Sequence, residues 1–266
     1  MQNPSDSINL AYDDSGLGRP ILLIHGFPLC RAMWKPQMEP LSRAGFRVIT
    51  PDLRGFGESP VGTTSVTMDL YADDLVRLLD RLEIDRAIIG GMSMGGYVLL
   101  NLLERFSDRV AHPLFLVTRA AADDSTGKEK RNHLIREVAG GHPDKVAEAF
   151  ESVLFGPKTA FNRPELVAEV RTWMRGTDPA GLTGGLQAMR DRRDYVGLLP
   201  GFPQKALVVG AEYDLAVPVE HSRLLDRGLP DSRFCLVSGA GHMANMEQPE
   251  AFNRCLLDFL RELPGA

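Results

Sequence analysis

The chain has 266 residues, of which 44% are hydrophobic, and a formal charge of −5. That is enough apolar material for one compact α/β domain with an insertion. The mild acidity argues against a nucleic-acid partner, because the densest basic cluster (Arg190, Arg192, Arg193) alternates with Asp191 and Asp194. No uninterrupted apolar segment approaches membrane-spanning length. The three cysteines, Cys30, Cys235 and Cys255, lack any Cys-x-x-Cys spacing, and Met1–Leu10 has neither a basic region nor an apolar stretch. Together these imply reduced thiols, no signal peptide and a cytoplasmic location.

In chain order, Ile8–Asp14 reads as a first strand, closed by the turn Ser15-Gly16-Leu17-Gly18. Ile21–Ile24 is wholly apolar, as expected of a strand covered on both faces. Arg47–Thr50 is another strand, stopped by Pro51, and Asp69–Leu82 has helical periodicity. The strand Ala87-Ile88-Ile89 and the helical run Tyr97–Leu103 follow, then a strand-like stretch from Val110 to Val117. From Arg119 to about Gly185 the character changes. Charged residues crowd Asp123–Arg136, and two amphipathic helices follow, one from Pro143 to Gly156 and one from Pro164 to Gly176. Proline near a helix start and glycine past its end are the expected punctuation. No strand pattern interrupts this stretch, so 119–185 is expected to be a helical cap, or lid. Strands resume at Ala206–Val209 and Arg233–Val237, and a last helix runs from about Pro249 to Leu263. This alternation predicts a mostly parallel, doubly wound sheet, with a core of residues 1–118 and 186–266 and the cap inserted after the sixth strand.

Gly91-Met92-Ser93-Met94-Gly95 falls between a strand and a helix. In that context Gly-x-Ser-x-Gly is a sharp turn that exposes a serine hydroxyl above the sheet, with the free N–H groups of the helix start beside it. A serine needs a base, and the base needs an orienting carboxylate. Asp214 follows the strand ending at Val209, and His242 follows the strand ending at Val237. Each therefore falls at the carboxyl end of its strand, where reacting groups of such sheets gather. Glu212 is the rival carboxylate. The oxyanion donors are expected to be the backbone N–H groups of Met94 and Phe27, the latter in the loop His25-Gly26-Phe27-Pro28, with His25 itself structural. Trp34, Phe150 and Trp173, with Cys30 and Met174, are candidate pocket residues, which suggests a small, uncharged or weakly charged acyl group. Gly239–Ala244 matches a dinucleotide fingerprint, but too little chain follows to complete its βαβ unit, and Gly127-Lys128 lacks the other residues of a phosphate loop. No histidine pair has metal-ligand spacing with a third ligand.

With these residues in place, the chain resembles the α/β-hydrolase family over nearly its whole length. The matching marks are His25–Pro28, Asp52–Ser59, Gly91–Gly95, Gly210–Asp214, Gly239–His242 and the tail Met246–Phe252. The resemblance implies that Asp52–Ser59 is a structural loop braced by Asp52 and Arg54. Within the family the chain is similar to cofactor-free esterases and 3-oxoadipate enol-lactonase-like hydrolases. A serine at the elbow separates it from relatives that use aspartate there. The expectation is a serine hydrolase acting on a small-molecule ester or lactone through Ser93, His242 and Asp214, without metal or organic cofactor. The alternatives are an enol-lactonase or carbon–carbon bond hydrolase with the same triad, and a ligand receptor on a hydrolase scaffold with slow turnover.

Overall fold

The structure is a computed structural model and describes residues 7–264. Seven strands form one sheet: β1 (Tyr12–Ser15), β2 (Arg19–Ile24), β3 (Phe46–Pro51), β4 (Ala87–Met92), β5 (Val110–Leu116), β6 (Ala206–Ala211) and β7 (Ser232–Val237). Their order is β1-β3-β2-β4-β5-β6-β7. Only the β1–β3 pair is antiparallel. Strands β4 and β6 are buried along their whole length. This explains why they read as continuous apolar runs rather than alternating ones.

The helices are α1 (Lys35–Arg43), α2 (Met68–Arg81), α3 (Met94–Arg105), α4 (Ser125–Ala139), α5 (Asp144–Leu154), α6 (Thr159–Asn162), α7 (Pro164–Arg175), α8 (Pro179–Arg190), α9 (Val219–Gly228), α10 (Ala244–Glu247) and α11 (Pro249–Arg261). Strand pleating sends alternate side chains to opposite layers. Leu22, Ile24, Ile89 and Val208 pack with Leu75 of α2, Val98 of α3 and Leu225 of α9. Ile21, Leu23, Ile88 and Val209 pack with Leu41 of α1 and Leu256 of α11. Leu154 of α5 and Val170 of α7 join this second layer, so the helix-rich insertion is rooted in the core rather than tethered by loops. None of the helices among the described residues is long and apolar enough to cross a membrane.

Several expectations need correction. The first strand begins at Tyr12, not Ile8, because its pairing with β3 runs only from Tyr12–Pro51 to Ser15–Val48. Pro51 is therefore the last residue of β3 rather than a stop before it. The insertion follows the fifth strand of the described residues, not the sixth. Helix α8 runs through position 185, so the expected boundary there falls inside a helix. Cys235 and Cys255 are not free thiols. They form a disulfide joining β7 to α11, whose packing brings their Cα atoms to 6.0 Å. No motif announces this pair, because its members lie on separate elements. Cys30 alone remains a thiol. The cytoplasmic expectation therefore loses the support it took from reduced cysteines.

Candidate active site

The chain leaves β4 at Met92 and enters α3 at Met94, so Ser93 alone makes the turn. Its φ of 52° and ψ of −115° lie where side chains are rarely found. Such a conformation costs about 1–3 kcal/mol and persists only when its surroundings enforce it. Here Ser93 N–H donates to Leu116 O at 3.1 Å, and Ser93 O accepts from Gly96 N–H at 2.9 Å and from the Thr118 hydroxyl at 2.7 Å. The flanking glycines are sterically required. A Cβ on Gly91 would lie 2.2 Å from Gly95 O, and one on Gly95 would lie 2.4 Å from Ile24 O. Ser93 itself keeps partial exposure amid buried neighbours.

The loops after β6 and β7 carry the partner groups. They are joined by Glu212 N–H to Val237 O at 3.1 Å and by Tyr213 N–H to Ala240 O at 2.8 Å. Asp214 Oδ1 accepts from the N–H groups of Ala216 (2.9 Å) and Val217 (2.8 Å), and Oδ2 lies 2.7 Å from His242 Nδ1. Both side chains are buried. A carboxylate oxygen accepts, so Nδ1 carries the proton and donates it to Asp214. The lone pair of the neutral ring is then on Nε2, the nitrogen a base needs free. Glu212 does not compete for the imidazole. Its Oε2 accepts from Gly239 N–H at 2.9 Å, on the exposed side of the same loops.

The loop after β2 passes beside Ser93, since a Cβ on Gly26 would lie 3.3 Å from Ser93 Cβ. His25 is buried, and its Nε2 accepts from Leu53 N–H at 2.9 Å. Nδ1 therefore carries the proton and donates to Gly26 O at 2.8 Å. Burial pushes the His25 pKa down, with the Asp52 charge opposing, so a neutral ring serves as a brace between two loops. The Phe27 side chain packs edge-on against Phe56 at 5.7 Å and Phe150 of α5 at 5.0 Å between ring centroids. The Asp52–Ser59 loop is braced as the resemblance implied. Asp52 accepts from the N–H groups of Arg31 (2.6 Å) and Glu58 (2.9 Å), and Arg54 makes two bonds to Asp74, at 2.8 and 2.9 Å, with both side chains buried.

A cavity of about 690 Å³ has Arg119, Arg131, Phe150, Leu215, Ala216 and His221 in its lining, but not Ser93, Asp214, His242, Phe27 or Met94. Phe150 lines this cavity and also packs on Phe27. Trp34 and Trp173 are not part of that lining. Trp34 is fully buried and stacks at a tilt on Phe252 of α11, while Trp173 packs against the second core layer. The short helical turn Arg31–Trp34 directs Trp34 into the core although the residue is close in sequence to the loop beside Ser93.

One buried carboxylate escaped the sequence reading. Glu247 Oε2 accepts from Gly156 N–H at 2.8 Å and from the Thr159 hydroxyl, while Oε1 accepts from Gly241 N–H at 2.9 Å. It therefore ties the helical insertion to the residue preceding His242. Burial raises its pKa against the pull of these hydrogen bonds. The only sequence signal was its place in the tail Met246–Phe252, which said nothing about an inward-facing acid.

Comparison with known proteins agrees with this fold. The thermophilic esterase of Thermogutta terrifontis, solved with malate bound, superposes with a TM-score of 0.92 and 38% identity, covering 96% of this chain and 94% of that one. The enol-lactonase of Burkholderia xenovorans LB400 gives a TM-score of 0.89 at 27% identity, covering 96% and 97%. A putative non-heme bromoperoxidase, BpoC of Mycobacterium tuberculosis H37Rv, is 30% identical over 95% of this chain and 97% of that protein. The family model for the alpha/beta hydrolase fold matches residues 19–249, and the chain belongs to that family.

Proposed function

We propose that the protein is a serine hydrolase that cleaves a carboxylic ester through an acyl-enzyme. Ser93 attacks the ester carbonyl, and His242 Nε2 accepts the hydroxyl proton. Asp214 holds the ring in the required tautomer and stabilises it once charged. The backbone N–H groups of Phe27 and Met94 receive the developing oxyanion, each worth about 3–4 kcal/mol of transition-state stabilisation. Protonated His242 then gives its proton to the leaving alkoxide. Water, deprotonated by the same nitrogen, cleaves the acyl-enzyme and restores Ser93. Residues from 119 to the end of α8 act as the lid.

The observation that carries this reading is the 2.7 Å contact between His242 Nδ1 and Asp214 Oδ2, made by loops at the carboxyl ends of two strands in the sheet that presents Ser93. A second reading, lactone opening by the same steps, is favoured by the likeness to an enol-lactonase over almost the whole chain. A panel of p-nitrophenyl esters and lactones tests both. Turnover of esters abolished by Ser93→Ala supports the first, and turnover confined to lactones supports the second. Substantial turnover by Ser93→Ala removes Ser93 from its role in either.

A further inference from the structure

His242 leads directly into α10, and α10 is a single turn. Its N-cap, Met243, is the next residue, and Met243 O accepts from the N–H groups of Met246 (2.9 Å) and Glu247 (2.8 Å). One turn fixes several dihedrals for few hydrogen bonds and does not hold its own orientation. Three buried side-chain amides supply what the turn lacks: Gln37 of α1, Asn245 of α10 and Asn253 of α11. Gln37 Nε2 donates to Asn245 O and to Asn253 Oδ1, both at 3.0 Å. Asn245 Nδ2 donates to Met33 O at 2.7 Å and to Gln37 Oε1 at 3.2 Å, and Asn253 Nδ2 donates to Pro36 O at 2.9 Å. Each amide donates to one backbone carbonyl, which fixes the end that carries nitrogen. Among the described residues, Asn245 Oδ1 is the one amide atom of this group without a partner.

Two prolines explain the need for amides here. A helical carbonyl is ordinarily met by the N–H four residues on. For Pro36 O that residue is Pro40, and for Asn245 O it is Pro249, and neither has an N–H. The carbonyls that receive Asn253 Nδ2 and Gln37 Nε2 are the two that these prolines cannot serve. The amides thereby lock α10 to α1 and α11, while Glu247 locks the same turn to the insertion through Gly156 and Thr159. Apolar side chains would fill the same space, but a hydrogen-bonded polar network specifies one position. That position bears on chemistry, because a displacement of about 1 Å at a reacting group costs on the order of a hundredfold in rate.

We infer that Gln37, Asn245 and Asn253 are positioning residues that hold His242 within reach of Ser93, which rests on the hydrolytic reading above. All three are buried, so none touches substrate, and their loss should appear in kcat rather than KM. The test is Gln37→Met, which keeps the length of the side chain and removes both of its donors. Its control is Leu256→Ala, which opens the core on α11 without touching the amides and also lowers Tm. Turnover of p-nitrophenyl esters is expressed per site titrated to completion with a fluorophosphonate, so unfolded protein is not counted. Gln37→Met should lower kcat by about fivefold or more with KM within about twofold of wild type, and Leu256→Ala should keep both within about twofold. A smaller fall for Gln37→Met, a change confined to KM, or an equal fall in Leu256→Ala overturns the inference. Where Gln37→Met does not fold, Asn253→Ala, which cuts only the links to Pro36 O and Gln37, takes its place, with an expected fall in kcat of about threefold or more and the same refuting results. If the wild type turns over no ester, the hydrolytic reading falls, and the low-field proton resonance of His242 Nδ1–H, which needs no substrate, decides this inference alone. Its loss or shift in the amide variant but not in Leu256→Ala supports the inference. A resonance absent from the wild type, unmoved by the variant, or moved equally in the control overturns it.

Discussion

Replacing Glu247 with alanine should disable the junction between the insertion and the histidine loop. The residue is 6% exposed, and its carboxylate serves Gly156 N–H, Gly241 N–H and the Thr159 hydroxyl. Each buried donor left without an acceptor costs about 1–3 kcal/mol. The hydroxyl can rotate to another acceptor, but the two backbone N–H groups cannot, which gives about 2–6 kcal/mol. Relief from burying a carboxylate offsets part of this, so we expect a net loss of about 2–4 kcal/mol. For a chain of this size that lowers Tm by about 5–15 °C. Glu247→Gln should fall between, because its amide oxygen serves one N–H while its NH2 group opposes the other. Since Gly241 precedes His242, kcat should fall along with Tm. The raised pKa adds a sign. A carboxyl group whose folded pKa lies above its ordinary 4.5 stabilises the fold most below that pH and loses its contribution as pH rises through the folded value. Glu247→Gln lacks this slope, so its stability deficit should shrink as pH rises through that window. Thermal unfolding by circular dichroism, paired with p-nitrophenyl ester kinetics, measures both effects. A Glu247→Ala protein within 1 °C of wild-type Tm and within twofold of its kcat would refute the reasoning.

Other expectations can be checked with the same two assays. Asp214→Asn should reduce kcat by about four orders of magnitude, as loss of the orienting acid does in other triads, whereas Glu212→Gln should be mild. The reverse result would exchange their roles. Gly95→Ala places a methyl group 2.4 Å from Ile24 O, a backbone atom that cannot yield cheaply, and should cost about 1–3 kcal/mol or more in thermal unfolding. Cys255→Ser opens a disulfide spanning 20 residues and should cost about 3 kcal/mol, with dithiothreitol producing a matching shift in the wild type. Burial pushes the Asp123 pKa up, but hydrogen bonding and charge from Arg192, then Arg131 and Arg119, outweigh it and hold the group below its ordinary 3.8. Its contribution is in place above that pH and lost below it, so the Tm gap between wild type and Asp123→Asn should narrow as pH falls through that range.

The parts of the fold legible in the sequence were those with a strong local signal. Strands β4 and β6 and the Ile21–Ile24 part of β2 are continuous apolar runs because both faces are covered, and helices α5 and α7 carry apolar stripes between proline and glycine punctuation. Helix α4 was hidden because Val138 is its one buried residue, and its start is signalled only by the Asp124 cap. Helix α8 was hidden for the opposite reason. Gly181, Gly184 and Gly185 weaken a helical reading, yet Gly181 lets the helix approach Gly55, where a Cβ would meet its carbonyl at 1.9 Å. That need is tertiary and leaves no local trace. The same holds at the site. Ser93, Asp214 and His242 are marked by their positions after strands, but the directions of Trp34 and Glu247, and the gathering of Arg119, Arg131 and Arg192 around Asp123, depend on contacts between distant segments.

Covalent labelling with a fluorophosphonate probe, followed by peptide mass spectrometry, examines the reactive centre without knowledge of the natural substrate. One equivalent of probe should attach to the hydroxyl of Ser93 in the wild type, with no labelling of Ser93→Ala and labelling slowed by orders of magnitude in His242→Ala. Stoichiometric attachment to another residue, or equal labelling of the Ser93→Ala protein, would contradict the account.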